Sequence, residues 1–312
     1  MKYNILITGG AGYIGSLLTE KLLNENHNVT VYDNFLFNQP SLNHLCNREN
    51  FTVIKGDVRD KSKLVPVLKN YEIILPLAAL VGAPMCNLDP VGARTVNHDS
   101  IDILLNNISK EQVILMPTTN SAYGTGDENN FCTEESELRP ISQYAIDKVD
   151  VEKKLMEHQN AVSFRLATVF GMSPRMRIDL LVNDFVYRAI RDGFIVLFES
   201  HFKRNYIHIR DVCEVFNFSI KNIDKMKGEI FNVGLSDANL SKKELCDKIK
   251  LIIKNFVYFE ENLQKDPDQR NYIVSNKKIE NLGFKPKVSI EEGIQELEKG
   301  YRMLKVKNFS NV

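Results

Sequence analysis

The chain lacks an excess of charge of either sign. Across 312 residues, 40 Lys and Arg balance 40 Asp and Glu, for a formal net charge of zero. That removes the electrostatic basis for sequence-independent binding of nucleic acid or an acidic membrane surface. Long hydrophobic runs are also missing. One uncharged apolar-leaning run, Ile73 to Leu88, is interrupted by Pro76 and Pro84 and falls short of the roughly 20 residues that cross a bilayer. Only Ile5-Leu6-Ile7 precedes a Gly-rich turn, so the expectation is no secretion signal. Cysteines are few and scattered (Cys46, Cys86, Cys132, Cys213 and Cys246), with no CxxC pair, which argues against a disulfide frame or a zinc site. The histidines have no metal-ligand spacing, so no metal is expected. These absences together describe a cytoplasmic protein with neither nucleic acid nor membrane as partner.

What is present is an alternation of short apolar runs with amphipathic stretches. Strands are expected at Tyr3–Ile7, Val29–Tyr32, Phe51–Ile54, Ile73–Leu77, Val113–Met116 and Val162–Arg165. Helices are expected at Ser16–Asn26, Ser62–Lys69, Asp99–Ser109 and Gln143–Gln159. This repeated strand–helix–strand order predicts right-handed crossovers and an α/β fold, a Rossmann-type doubly wound parallel sheet with a smaller C-terminal substrate lobe. The strands are almost continuously apolar, as a sheet covered on both faces requires. Residues 1–165 are expected to form the dinucleotide-binding domain, with 205–233 returning to it, and 166–312 mainly the second lobe. Helices are expected there at Leu180–Arg191, Lys242–Lys254 and Ile290–Leu304, with a mostly polar, frayed end over the last eight residues.

Gly9, Gly12 and Gly15 follow the first strand and open the first helix, with Tyr13 and Ile14 between them. Such a turn lets the backbone approach a pyrophosphate and aims helix N–H groups at it. Asp33 ends the second strand, where a carboxylate accepts both ribose hydroxyls and repels a 2′-phosphate, selecting NAD over NADP. Asn34 follows it. Asp57, with Val58, ends the third strand, placed either to bond adenine or to form a turn. Tyr144 and Lys148 are four apart on one helix and share a face. An ammonium beside a phenol, helped by a bound oxidised nicotinamide, would lower the tyrosine pKa and make it a base near neutral pH. Thr118-Thr119-Asn120-Ser121 ends the fifth strand, where hydroxyls can hold a reacting oxygen.

These residues, with Gly56-Asp57-Val58-Arg59-Asp60, Tyr123-Gly124 and Leu282-Gly283-Phe284-Lys285-Pro286, resemble the extended short-chain dehydrogenase/reductase family. Within it they resemble the NAD-dependent sugar-nucleotide epimerases and dehydratases. The resemblance runs nearly the whole length. It implies NAD as cofactor, retained or exchanging, a nucleotide-sugar substrate, and a homodimer or homotetramer. It implies Tyr144 as catalytic base, Lys148 on the nicotinamide ribose, Thr119 on the substrate oxygen, and Leu77, Ala78 and Ala79 along the cofactor. Arg204 and Arg270 would bind the substrate diphosphate, and Arg175 or Arg177 the nucleotide or sugar. An apolar stripe of Ile101, Leu104, Leu105 and Ile108 would serve either a dimer or the protein's own sheet.

Two departures narrow the reaction. Members that eliminate water carry Asp-Glu where this chain has Asn120 and Ser121, so a 4,6-dehydratase is not expected. Thr168 replaces an asparagine that contacts the diphosphate in many members. Leu77 to Cys86 resembles a branch that includes bacterial dehydrogenases acting on GDP-activated manno-heptose for capsule sugars. A 4-dehydrogenase is therefore the first reading and a 4-epimerase the second. A 4-keto reductase and a non-catalytic dinucleotide sensor follow.

Overall fold

In the computed structural model, residues 1–126, 130–261 and 269–304 are described. The end expected to fray, 305–312, lies outside them. The chain opens with β1 (Asn4–Thr8), α1 (Tyr13–Asn24), β2 (Asn28–Asp33), β3 (Phe51–Lys55), α2 (Lys61–Leu68) and β4 (Ile73–Pro76). Three short helices follow: α3 (Ala83–Leu88), α4 (Pro90–Arg94) and α5 (Ser100–Leu105). Then come β5 (Val113–Thr119), α6 (Gln143–Leu155), β6 (Ala161–Leu166) and β7 (Thr168–Phe170), with α7 (Leu181–Arg191), β8 (Phe194–Phe198) and β9 (Lys203–His208) behind them. The rest is α8 (Ile209–Lys221), α9 (Ile223–Met226), β10 (Glu229–Val233), β11 (Asn239–Ser241), α10 (Lys242–Ile252), β12 (Val257–Glu261), α11 (Lys277–Asn281) and α12 (Ile290–Met303).

Seven strands form one parallel sheet in the order β10-β6-β5-β4-β1-β2-β3. The chain winds outward in both directions from β1 and β4, so a crevice opens at their carboxyl ends. Both faces are covered. Ile5 and Ile7 point into a cluster with Leu18, Leu22, Val212 and Phe216 from α1 and α8. Leu6 points the other way, among Ile74, Ile101, Leu104, Ile114 and Val151. Each such side chain contributes about 1.5–3 kcal/mol by leaving water, which is why the strands read as unbroken apolar runs.

Ile101 and Leu104 are buried against this sheet, with Leu105 and Ile108 partly buried beside them. The long helix expected at Asp99–Ser109 is instead the short α5, entered through a wide π-turn over Thr95–Asp99. The alternation Tyr206-Ile207-His208-Ile209 does not continue as strand, since β9 ends at His208. Buried His208 accepts the Arg210 N–H on Nδ1 at 3.2 Å and so caps α8, which alternation alone does not reveal. Its Nε2 faces Glu296 at 3.2 Å, so the histidine is satisfied inside the core. β9 lies between β7 and β11, and β8 pairs with β12, in two small sheets beyond the main one.

Candidate active site

The phosphate turn is shaped by sterics. Gly9 has φ +72°, and a Cβ there would lie 2.5 Å from the Ala78 nitrogen. Only glycine permits that conformation and that approach together. A Cβ on Gly15 would meet the Gly9 oxygen at 2.4 Å, so this residue lets α1 pack against the turn. Gly12 caps α1 without a side-chain acceptor, leaving the helix N-terminus open toward the cleft.

This turn is one wall of a cleft of about 300 Å³ whose lining includes Gly9, Gly12, Asp33, Asn34, Asp57, Val58, Leu77, Ala78 and Ala79. Asp33 accepts the Ala11 N–H at 3.0 Å on one oxygen and the Phe35 N–H at 2.7 Å on the other. Burial raises its carboxyl pKa, opposed by those two N–H groups. At the far end Asp57 is held bidentately by Arg59, at 2.8 and 2.6 Å, and is pulled down to about 2 by that guanidinium. Asn34 donates to Asp57 at 3.4 Å. Asn97 fixes the floor, exchanging two 2.8 Å hydrogen bonds with the Leu80 backbone.

Two expected cofactor residues contribute differently. Tyr13 points away from the cleft, its buried hydroxyl donating to the Gly171 oxygen at 2.7 Å. Ile14 packs between two hydrophobic clusters. Their positions are set by helical periodicity, which turns the first residues of α1 toward the core, so only their backbones can serve the cleft. The loop Phe35–Gln39 also lines the cleft, as do Leu80 and Met85 of the Leu77–Cys86 segment and Arg59 of the Gly56–Asp60 motif.

Tyr144 and Lys148 lie beyond this lining. Cys86, whose Sγ is 3.3 Å from the Leu80 oxygen, interacts electrostatically with both. Ser142 caps α6 by accepting the Ala145 N–H, which puts Tyr144 in the first turn. Burial pushes the Tyr144 phenol up to about 12, against the expected lowering. The same burial pushes Lys148 down to about 8. Desolvation is the largest cause for both groups, and the downward influences on Tyr144 come from Arg177 and Arg270.

Thr119 accepts the Ser121 N–H at 3.1 Å and donates to the Ser121 hydroxyl at 3.0 Å. Arg270 donates to that same hydroxyl. Arg204 is buried on β9, and both it and Arg270 act on the Tyr206 phenol, so the two arginines share this region. Arg177 is paired with Asp179. Thr168 sits on β7 opposite Tyr206. Asn120 is 1% exposed in the turn after β5. Arg175 lines the dinucleotide cleft and also lies within electrostatic reach of Arg177. The path of the chain after β7, invisible in sequence, decides this. Among the described residues, His98, Asp99 and Asp102 could converge on a cation, but the Lys154 ammonium already sits there, 2.7 Å from Asp102. No helix among the described residues is long and apolar enough to cross a membrane.

The architecture and cleft define a Rossmann-type dinucleotide enzyme. The sequence profile of the NAD dependent epimerase/dehydratase family matches residues 5–234, and the chain belongs to that family. Its cofactor is NAD, and the cleft fits it: a turn that excludes a Cβ, a helix N-terminus and the Asp33 carboxylate. UDP-glucuronic acid decarboxylase 6 of Arabidopsis thaliana is 28% identical over 316 residues, covering 96% of this chain and 89% of the relative. The Thermotoga maritima UDP-glucose 4-epimerase with UDP-glucose is 26% identical with a TM-score of 0.81, covering 96% of this chain and 98% of that one. The Bacillus anthracis dTDP-glucose 4,6-dehydratase in complex with NAD gives a TM-score of 0.81 at 21% identity, covering 97% of both chains. Three reactions are thus represented among chains of similar likeness.

Proposed function

We propose that the protein oxidises C4 of a nucleotide-activated sugar with NAD, as a 4-dehydrogenase giving a 4-keto sugar of the GDP-heptose type for capsule or surface polysaccharide. The observation that carries this reading is that Tyr144 lies within electrostatic reach of Arg177 and Arg270, with Ser121, itself hydrogen-bonded to Thr119, accepting from Arg270. Residues 1–165 would serve mainly the dinucleotide and residues 166–312 mainly the sugar nucleotide. A 4-epimerase is the second reading, favoured by the likeness to the Thermotoga enzyme.

In this reading NAD supplies the hydride acceptor at the sugar carbon. Tyr144 takes the proton of the C4 hydroxyl, and Thr119 holds that oxygen. The phenol needs its pKa brought down from about 12. The charges of Arg177 and Arg270 lower it, acting strongly because the site is shielded from water, and Lys148 would add to them once a bound nicotinamide and substrate complete the site. Arg204 and Arg270 hold the diphosphate, their guanidinium geometry suiting phosphate oxygens. Asn120 and Ser121 stand in place of an acid pair and neither can protonate a leaving hydroxyl, which favours stopping at the 4-keto sugar or returning the hydride.

The test is turnover of GDP- and UDP-sugars by the wild type and by Tyr144→Phe, followed by NMR. A 4-keto product lost about 10²–10⁴-fold in the variant is expected. A C4 epimer as the sole product selects the second reading. Equal turnover by both proteins refutes the assignment of Tyr144 and with it the mechanism.

A further inference from the structure

Arg175 is an arginine where a cofactor-binding cleft needs explaining. It is 2% exposed and among the largest fully buried side chains. It leaves the loop between β7 and α7 and lines the same cleft as Gly9, Gly12, Asp33 and Phe37. Its guanidinium carbon stands 3.9 Å from the centre of the Phe37 ring. The loop bearing Phe37 is bent by two non-glycine residues in left-handed conformation, Phe35 at φ +57° and Asn38 at φ +49°. A bulky residue there is strained, and such strain gathers at ligand clamps.

Two further contacts place the guanidinium along the cleft. Ser173 donates to the Tyr13 oxygen at 2.7 Å and lies 3.0 Å from the Ser16 hydroxyl, so the loop is pinned to the first turn of α1. Arg175, two residues on, arrives at the helix whose N-terminus faces the phosphates. It also lies within electrostatic reach of Asp33, whose carboxylate holds the Ala11 N–H of the phosphate turn. The other cation among the described lining residues, Arg59, is bound bidentately to Asp57 at the opposite end.

We propose that Arg175 grips the diphosphate of the dinucleotide, with Phe37 as its backing, so that the segment following β7 locks the cofactor into the cleft. A guanidinium fork matches phosphate oxygens bidentately, and the ring behind it fixes the plane of the fork. The inference uses the cofactor site read above and does not depend on the reaction at C4. A diphosphate could also come from the sugar nucleotide, so the experiment separates the two.

NADH, ADP-ribose, adenosine, GDP and UDP are titrated calorimetrically into cofactor-free wild type, Arg175→Met, Arg175→Lys and Phe37→Leu. Dinucleotide carried through purification is measured by mass spectrometry. Arg175→Met is expected to weaken NADH and ADP-ribose about 10- to 100-fold, as for a lost charge-assisted pair, and to leave adenosine, GDP and UDP unchanged. Arg175→Lys restores part of the affinity, Phe37→Leu weakens NADH several-fold, and retained dinucleotide falls in the same order. Unchanged NADH affinity in Arg175→Met overturns the proposal, as does a loss confined to GDP or UDP, which would assign Arg175 to the sugar nucleotide. If Arg175→Met does not fold, unchanged NADH affinity in Phe37→Leu overturns it. These readouts involve no sugar turnover, so their failure and the failure of the C4 reading are distinguishable.

Discussion

Replacing Lys148 by methionine should abolish turnover and make the cofactor-free protein more stable. The ammonium is 5% exposed, and burial lowers its pKa from 10.5 to about 8. A pKa lower in the folded than in the unfolded state means that folding is opposed wherever the unfolded lysine is charged. At about 1.4 kcal/mol per pKa unit the penalty is about 3 kcal/mol at neutral pH. It is complete below pH 8 and fades as the pH rises from 8 toward 10.5. An unfolding entropy of about 2.1 cal/mol/K per residue converts 3 kcal/mol into a Tm about 4–5 °C higher for the variant at pH 7. Differential scanning calorimetry of both proteins between pH 7 and 9.5 is the assay, and the gap should narrow steadily as the pH rises. A variant less stable than wild type at pH 7, or a gap that stays constant with pH, would refute the reasoning and make Lys148 a structural residue. Gain of stability with loss of activity is the signature of a charge kept in the core for chemistry.

Two other substitutions test the scaffold around the site. Gly9→Ala combines a left-handed backbone with a Cβ 2.5 Å from the Ala78 nitrogen, so it should weaken NADH at least about tenfold and cost about 1–3 kcal/mol in urea unfolding. Wild-type affinity would show that the turn can relax. Glu152→Gln leaves Arg165, 4% exposed and held by that carboxylate at 2.6 and 3.0 Å, as an uncompensated buried charge. A loss of about 3–5 kcal/mol is expected by chemical denaturation, and a loss under 1 kcal/mol would mean that Tyr123 and the Glu134 oxygen suffice to hold the guanidinium.

The sequence by itself determined the parallel sheet, the glycine turn after β1, the place of Asp33 at the end of β2 and the face shared by Tyr144 and Lys148. All of these follow from local rules: apolar period, a glycine where a Cβ cannot fit, and helical spacing. Tertiary structure decided whatever depends on distant segments meeting. It turned Ile101 and Leu104 onto their own sheet, and it stopped β9 at His208 because the imidazole could cap α8 and reach Glu296. It brought Arg270 to Ser121 and carried Arg175 to Phe37 in the dinucleotide cleft, although Arg177, two residues away, pairs with Asp179. It also set the proton affinities of Tyr144 and Lys148. Spacing predicts that an ammonium lowers the phenol's pKa, but burial taxes both charged forms, and only the packed structure fixes how deeply each group is removed from water.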